Sequence, residues 1–158
     1  MGRHAAEADA VSEAPRAVVW GVLADASRWH EWGIWSATVL EREGDPAPDG
    51  VGAIRALTKR PITSREEVVV FEPGVRLVYR LLSGLPVKNY SGTITLHDHP
   101  AGSRISWRSE WESRVPGMQR QLQKALEEIS ALAAREAERR SASAQPPRPA
   151  GASSTLGR

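Results

Sequence analysis

Residues 102–140 read GSRISWRSEWESRVPGMQRQLQKALEEISALAAREAERR, and this stretch decides the fold. In its first part Ile105, Trp107 and Trp111 alternate with Arg104 and Arg108. A period of two places the apolar side chains on one face of a strand. After a Pro-Gly break the apolar residues recur instead at three- and four-residue spacing, which is typical of a helix. The stretch therefore predicts a half-buried strand followed by a long amphipathic helix.

The predicted helix is the longest periodic segment of the chain. Its apolar positions are Met118, Leu122, Ala125, Leu126, Ile129, Leu132 and Ala133. Beyond it, residues 141–158 consist mainly of Pro, Ser, Ala and Gly with a single Leu, and such a composition buries too little apolar surface to offset the entropy of ordering. We therefore predict one domain over residues 5–140 and a disordered tail over 141–158.

The segments upstream of the final strand predict a meander of antiparallel strands. Turn signals such as Glu72-Pro73-Gly74 separate runs that alternate between apolar and polar residues. The predicted strands are residues 37–43, 54–59, 64–72, 75–82 and 90–96. A short strand and two small helices precede them, one helix beginning near Pro15 and one covering residues 26–32. The predicted order is thus a short strand, two small helices, about six strands and one long helix.

Composition excludes several function classes. The chain of 158 residues is 41% hydrophobic, has no Cys and carries a net charge of +2, so one reduced domain is expected. Acidic and basic residues are interspersed, which argues against nucleic-acid binding. No apolar run reaches membrane-spanning length and the N-terminus lacks a signal-peptide pattern, so we expect a cytoplasmic protein without stable membrane insertion. Phosphate-loop and nucleophile-elbow motifs are absent, and nothing predicts a cofactor.

The chain contains six tryptophans but only one Phe and two Tyr. Tryptophans in such number form either a core or the wall of a ligand cavity. Trp20 lies among valines on the first small helix, so we assign it to the core. Trp32 and Trp35 follow at the end of the second small helix, where core and cavity entrance are equally consistent with the pattern. Trp107 and Trp111 lie on the apolar face of the last strand. The tryptophans together predict a large apolar interior.

Three segments carry a family resemblance: APRAVVWGVLADASRWHEW at residues 14–32, SREEVVVFEPGVRLVYRLLSGLPVKNYSGTITL at 64–96, and GSRISWRSEW at 102–111 before the long helix. In this order they resemble the polyketide cyclase/dehydrase branch of the START-like, or SRPBCC, superfamily. The resemblance implies an α+β helix-grip fold, in which a curved antiparallel sheet wraps a long C-terminal helix and encloses an apolar cavity. It is weak for chemistry, because this superfamily includes cyclases, lipid carriers, quinone-binding proteins, receptors and co-chaperone relatives.

Polar side chains on the inward faces are the candidate anchors for a cavity ligand, because a buried polar group needs a partner. Alternation places Tyr79 and Tyr90 inward and Ser109 between two inward tryptophans, whereas the alternation around Arg55 is ambiguous. The alternative is a Tyr hydroxyl bonded to a backbone carbonyl and an Arg that extends to solvent. The predicted ligand-binding residues are Trp32, Trp35, Arg55, Leu77, Tyr79, Tyr90, Ile94, Trp107, Ser109 and Trp111.

No metal site or acid/base pair is predicted. The run His97-Asp98-His99 contains ligand types, but it lies in a hairpin turn without a third ligand nearby. Glu66 and Glu67 are neighbours on a strand, so they point to opposite faces and do not form a dyad. No inward His, Asp or Glu is identifiable as a catalytic base.

Three functions are consistent with the sequence. The first is a carrier or binding protein that holds a hydrophobic small molecule such as a lipid, quinone or polyketide, as a monomer or homodimer. The second is a polyketide cyclase or dehydratase, which requires Tyr or Arg donors at an oxyanion and a base for the carbon-bound proton. The third is a co-chaperone-like interaction module that uses the convex face of the sheet.

Overall fold

The computed structural model describes residues 2–144, which form seven strands and three helices. In chain order the elements are β1 (Gly2–Ser12), α1 (Arg16–Ala24), a 3₁₀ helix (Ala26–Glu31), β2 (Ala37–Arg42), β3 (Ile54–Lys59), β4 (Ile62–Glu72), β5 (Arg76–Ser83), β6 (Lys88–His99), β7 (Gly102–Ser113) and α2 (Met118–Ala144). The α+β element order predicted from the sequence is confirmed.

All seven strands belong to one antiparallel sheet in the order β1-β7-β6-β5-β4-β3-β2. Consecutive strands from β2 to β7 are neighbours, as a meander requires. The first strand joins at the far edge, where Gly2 lies opposite Ser113 and Ser12 lies opposite Ser103. The sheet is curved, and the long helix α2 packs along its concave side.

The strand β1 and the helix α2 are longer than the sequence predicts. β1 extends over 11 residues, and its inward positions include the small Ala6 and Ala8, which gave little hydrophobic signal. α2 continues to Ala144, four residues into the stretch predicted to be disordered. The rest of the predicted tail, 145–158, lies outside the described residues.

Side chains of α2 cover the free edge of β1. Gln119 Nε2 donates to the Ala5 carbonyl oxygen at 2.5 Å, and Gln123 Nε2 donates to the Glu7 carbonyl oxygen at 2.7 Å. The Gln123 Oε1 atom accepts from the Glu7 backbone N–H at 3.1 Å. These bonds satisfy backbone groups that would otherwise be open to pairing with another strand.

Trp20 is packed less deeply than predicted. Its ring lies 5.3 Å from the Phe71 ring, centroid to centroid, and the side chain is only half-buried. The buried positions of α1 are instead Val19, Val22, Leu23 and Ala24. The core of α1 is therefore aliphatic, and Trp20 covers it from the side.

Candidate functional site

A cavity of about 740 Å³ lies between the concave face of the sheet and α2. Its walls come from the 3₁₀ region, strands β3 to β7 and the first half of α2. The lining residues are Trp29, Ile34, Trp35, Leu57, Lys59, Arg60, Pro61, Ile62, Ser64, Glu66, Tyr79, Leu85, Pro86, Tyr90, Trp107, Met118, Gln121, Leu122, Lys124, Ala125, Leu126, Glu128 and Ile129. Aromatic and aliphatic side chains form most of this surface, as in small-molecule sites generally.

The cavity opens at one end of the sheet, where two hairpin tips and the start of α2 come together. The β3–β4 tip contributes the exposed residues 59–62, and the β5–β6 loop contributes Leu85 and Pro86. Leu57, Trp107 and Ile129 line the cavity with buried side chains. The cavity thus has a mouth of exposed side chains and an apolar interior.

Tryptophan rings in mutual contact form one wall. Trp29 stacks on Trp35 at 5.1 Å between ring centroids and meets the edge of Trp107 at 5.6 Å. The Trp29 indole N–H donates to the Val22 carbonyl oxygen at 3.2 Å, and the Trp107 indole N–H donates to the Tyr79 hydroxyl at 2.9 Å. Because both indole donors are satisfied inside the protein, this wall presents ring faces rather than polar atoms to the cavity.

The two tyrosines supply hydroxyl groups to the cavity. Tyr79 accepts the bond from Trp107, so its own proton is available to another acceptor. The Tyr90 hydroxyl forms a hydrogen bond with Ser109 Oγ at 2.9 Å. Burial raises the pKa of Tyr90 to about 12 and raises the pKa of Tyr79 well above its usual value of 10.0. Both phenols therefore remain protonated near neutral pH.

An ion pair between Arg55 and Glu66 is buried beside the cavity. The two residues lie opposite each other on β3 and β4, with Arg55 Nη2 3.4 Å from Glu66 Oε1. The Arg55 guanidinium also lies 5.1 Å from the Trp29 ring centroid and 5.5 Å from that of Tyr79, which is the geometry of cation–π contacts. Within residues 2–144, its Nε and Nη1 atoms have no hydrogen-bond partner.

The carboxyl of Glu66 faces the cavity and titrates near neutrality. Burial raises its pKa from the usual value of 4.5 to about 7, and the attraction of Arg55 offsets part of that rise. A carboxyl in such an environment is able both to donate a hydrogen bond and to accept a proton. The site thus combines one titrating carboxyl with two protonated phenols in an apolar pocket.

The structure divides the predicted ligand-binding residues into two groups. Trp35, Tyr79, Tyr90 and Trp107 line the cavity. The others are buried behind its wall: Trp32, Arg55, Leu77, Ile94, Ser109 and Trp111.

Each residue in the second group is enclosed by other side chains of the fold. Trp111 is stacked between His4 and Tyr90, and Ser109 is bonded to the Tyr90 hydroxyl. Trp32 packs edge-on against its neighbouring tryptophans. These residues support the wall rather than form its surface, and Arg55 is buried instead of extending to solvent.

Sequence reasoning missed Glu66 as an inward acid and Trp29 as a wall residue. The alternation of Glu66 and Glu67 shows that one of them points inward without showing which one. The missing signal was the tight turn at Arg60-Pro61, since a two-residue hairpin there pairs position 55 with position 66. With that register the inward Arg55 predicts an inward acidic partner. The expectation that no inward His, Asp or Glu is available as a base was therefore wrong, because Glu66 points inward.

The His97-Asp98-His99 run is a hairpin end in the structure. Asp98 forms a salt bridge with Arg16 at 2.8 Å, and His99 Nδ1 accepts from the Ala101 backbone N–H at 3.1 Å. Across residues 2–144 no group of His, Asp or Glu has metal-binding geometry.

The raised pKa of Glu66 predicts a pH dependence of stability. The folded protein retains the Glu66 proton up to about pH 7, whereas the unfolded chain releases it near its usual pKa of 4.5. Stability therefore falls as the pH rises through this interval, by about 3 kcal/mol for this one group. Urea denaturation of wild type and Glu66→Gln across the interval measures the effect, because only the wild type contains this titration. Parallel pH profiles would contradict the assignment.

A long helix gripped by a curved antiparallel sheet, with an apolar cavity between them, defines this chain as a helix-grip protein. Solved structures of the same fold include a protein from Nitrosospira multiformis, with a TM-score of 0.71, 18% identity, and coverage of 84% of this chain and 94% of that one. Ara h 8.0201 gives a TM-score of 0.66 at 14% identity, covering 90% of this chain and 99% of the other. XoxI from Bacillus cereus gives a TM-score of 0.64 at 15% identity, covering 90% of this chain and 96% of the other.

The family follows from a match of the sequence itself. Residues 3–139 match the family described as polyketide cyclase/dehydrase and lipid transport, so this chain belongs to that family. No protein with a curated description matches the sequence significantly. Among the helices of residues 2–144, none is both long and apolar enough to cross a membrane.

Proposed function

We propose that this protein binds a hydrophobic small molecule in the interior cavity and acts as a carrier or binding protein. The observation that carries the proposal is the cavity of about 740 Å³ with a predominantly aromatic and aliphatic lining. A pocket of this volume suits a drug-sized or lipid-sized ligand. Membership in a family whose description includes lipid transport supports the same function.

The arrangement of polar groups favours a ligand with a hydroxyl or carbonyl group at the end that lies inside the cavity. The Trp29 and Trp107 rings offer an extended apolar surface, against which a planar or aliphatic body packs. Beside them the Tyr79 hydroxyl, which accepts from Trp107, has a proton to donate, and the Glu66 carboxyl is able to donate and to accept. A lipid, a quinone or a polyketide satisfies this requirement. In each case one polar group meets the tyrosine and the carboxyl, while the apolar body fills the cavity.

Filling the cavity should weaken ligand binding without unfolding the protein. Ala125 lies on α2 with its side chain in the cavity wall and is only half-buried, so phenylalanine at this position extends into the empty volume. We expect Ala125→Phe to weaken binding of the probe 1-anilinonaphthalene-8-sulfonate by at least about tenfold, or roughly 1.4 kcal/mol. Fluorescence titration of the purified protein measures this change.

The matched control is Ala142→Phe, because Ala142 lies on the exposed end of the same helix, away from the cavity. It should bind the probe like the wild type. Equal affinities for all three proteins would place the probe outside the cavity and contradict the proposal. Native mass spectrometry of the purified wild type then shows whether a cellular ligand is retained and gives its mass.

A second candidate function is supported by Glu66 alone. A carboxyl with a pKa of about 7 is suited to remove a proton from the carbon next to a ketone. The Tyr79 hydroxyl would donate to the resulting enolate oxygen. Attack of that enolate on a second carbonyl, followed by loss of water, is the cyclase and dehydratase chemistry named in the family description. Turnover of a poly-ketone by the wild type, abolished in a Glu66→Gln variant that still binds the poly-ketone, would establish the enzyme over the carrier.

A further inference from the structure

Basic residues without ion-pair partners concentrate around the mouth of the cavity. Every lysine of the chain lies there: Lys59 and Lys124 line the mouth, and Lys88 follows the β5–β6 loop. Arg60 also lines it, and Arg114 and Arg120 flank the start of α2. Within residues 2–144 none of these six side chains forms a salt bridge, whereas most other arginines do. Six of the nine Lys and Arg side chains without a salt bridge in residues 2–144 therefore surround one opening.

Large apolar side chains are exposed on the same three segments. Ile62 is 45% exposed at the β3–β4 tip, Leu82 is 39% exposed at the end of β5, and Val115 is 42% exposed before α2. Each lies close in sequence to an exposed proline and to at least one of the basic residues just described. We call these segments, residues 59–62, 82–88 and 114–120, the mouth rim.

Strand register places the mouth rim on one side of the molecule. Lys59 pairs with Ile62, and Lys88 lies opposite Glu112, one residue before the end of β7. Acidic groups near the rim include Glu128 on α2 and Glu112 itself. The opposite end of the sheet carries the acidic residues Glu13, Glu43, Asp45, Glu72 and Asp98, of which Glu72 and Asp98 are paired with Arg76 and Arg16. The unpaired charges are therefore mainly basic at the mouth and mainly acidic at the opposite end, which orients the mouth toward a negatively charged partner.

We propose that the mouth rim docks this protein on an anionic lipid bilayer. Exposed aliphatic and proline side chains on three separate loops insert shallowly at the headgroup level, and the surrounding lysines and arginines bind the anionic headgroups. An acidic protein partner would match the basic residues of the mouth rim. It would not provide an apolar layer for the exposed aliphatic side chains of the rim. Docking in this orientation places the cavity opening against the lipid. The surface is defined independently of any cavity ligand.

The test is co-sedimentation of the full chain with vesicles of phosphatidylcholine, with or without phosphatidylserine. We expect binding only to the phosphatidylserine vesicles at low salt, and a loss of binding at high salt. The double variant Lys59→Glu/Arg60→Glu should bind at least about 25-fold more weakly, since loss of each basic residue near an anionic surface costs about fivefold and the added carboxylates are repelled. Ile62→Ser/Leu82→Ser should also bind more weakly while retaining its salt dependence.

The matched control is Arg104→Glu/Arg135→Glu, which makes the same charge change at two positions without salt bridges away from the rim. It should bind vesicles within about twofold of the wild type. An equal loss in this control, or no binding of the wild type to phosphatidylserine vesicles, would overturn the proposal. Binding to soluble poly-glutamate with none to vesicles would identify an acidic polymer as the partner instead. Probe binding is measured on the wild type without vesicles, so the cavity proposal and the docking proposal fail separately.

Discussion

Replacement of Glu66 by leucine is expected to lower the free energy of unfolding by about 3 kcal/mol, because it leaves the buried Arg55 guanidinium without its partner. Arg55 is 1% exposed, and its Nε and Nη1 atoms already lack hydrogen-bond partners within residues 2–144. The rings of Trp29 and Tyr79 offset only part of this penalty. Urea denaturation above the Glu66 pKa of about 7, where the carboxylate is ionised, measures the loss.

Glu66→Gln is the control for this prediction, since an amide oxygen still accepts from Arg55. We expect it to cost only about 1 kcal/mol. The double change Arg55→Met/Glu66→Leu removes both charges and should recover most of the stability lost in Glu66→Leu. If the leucine and glutamine variants were equally stable, the pair would not be coupled as the geometry indicates.

Substitution of Gly92 by alanine is expected to lower the free energy of unfolding by about 3 kcal/mol. This is the upper end of the cost usually found for overpacked cores. Gly92 lies directly opposite Tyr79 on the neighbouring strand, and a methyl group at Gly92 would occupy the space of the Tyr79 ring. That ring is fixed by the hydrogen bond from Trp107 and by Arg55, which lies 5.5 Å from its centroid. The change should therefore also displace a cavity wall and weaken probe binding.

The comparison is Gly21→Ala, because a methyl group at Gly21 meets nothing within 4 Å and lies on the exposed face of α1. Alanine is the better helix former, so stability should rise by up to about 1 kcal/mol. Chemical denaturation of both variants measures the difference. Similar stabilities for the two would show that the Tyr79 ring is free to move.

The sequence predicts the strands because their inward and outward residues differ strongly in polarity. Residues 54–59 were predicted as a strand with the bounds that β3 has in the structure. The length of β1 was missed because its inward residues Ala6 and Ala8 are small, and they are small because α2 packs closely over them. That closeness is a tertiary property, which a local pattern does not contain.

The candidate site was predictable to the extent that it depends on alternation. Tyr79 and Tyr90 follow from their strands, but the separation of lining from supporting residues depends on where α2 lies. Trp111 and Trp107 share a face of β7, yet only Trp107 reaches the cavity, because Trp111 is covered by His4 of β1. The Arg55–Glu66 pair depends on the register between β3 and β4. An error of one residue in the predicted turn shifts that register and moves the side chains to the other face.

The pairing of β1 with β7 has a consequence for how the chain folds. The first strand has its sheet partner about a hundred residues later, with Gly2 opposite Ser113. Loops of this length close slowly, because their entropy is lost before any contact compensates it. During synthesis β1 therefore has no sheet partner until β7 and α2 have left the ribosome. Because the meander from β2 to β7 consists of local hairpins, we expect it to form first and the interior to be enclosed only in the final step.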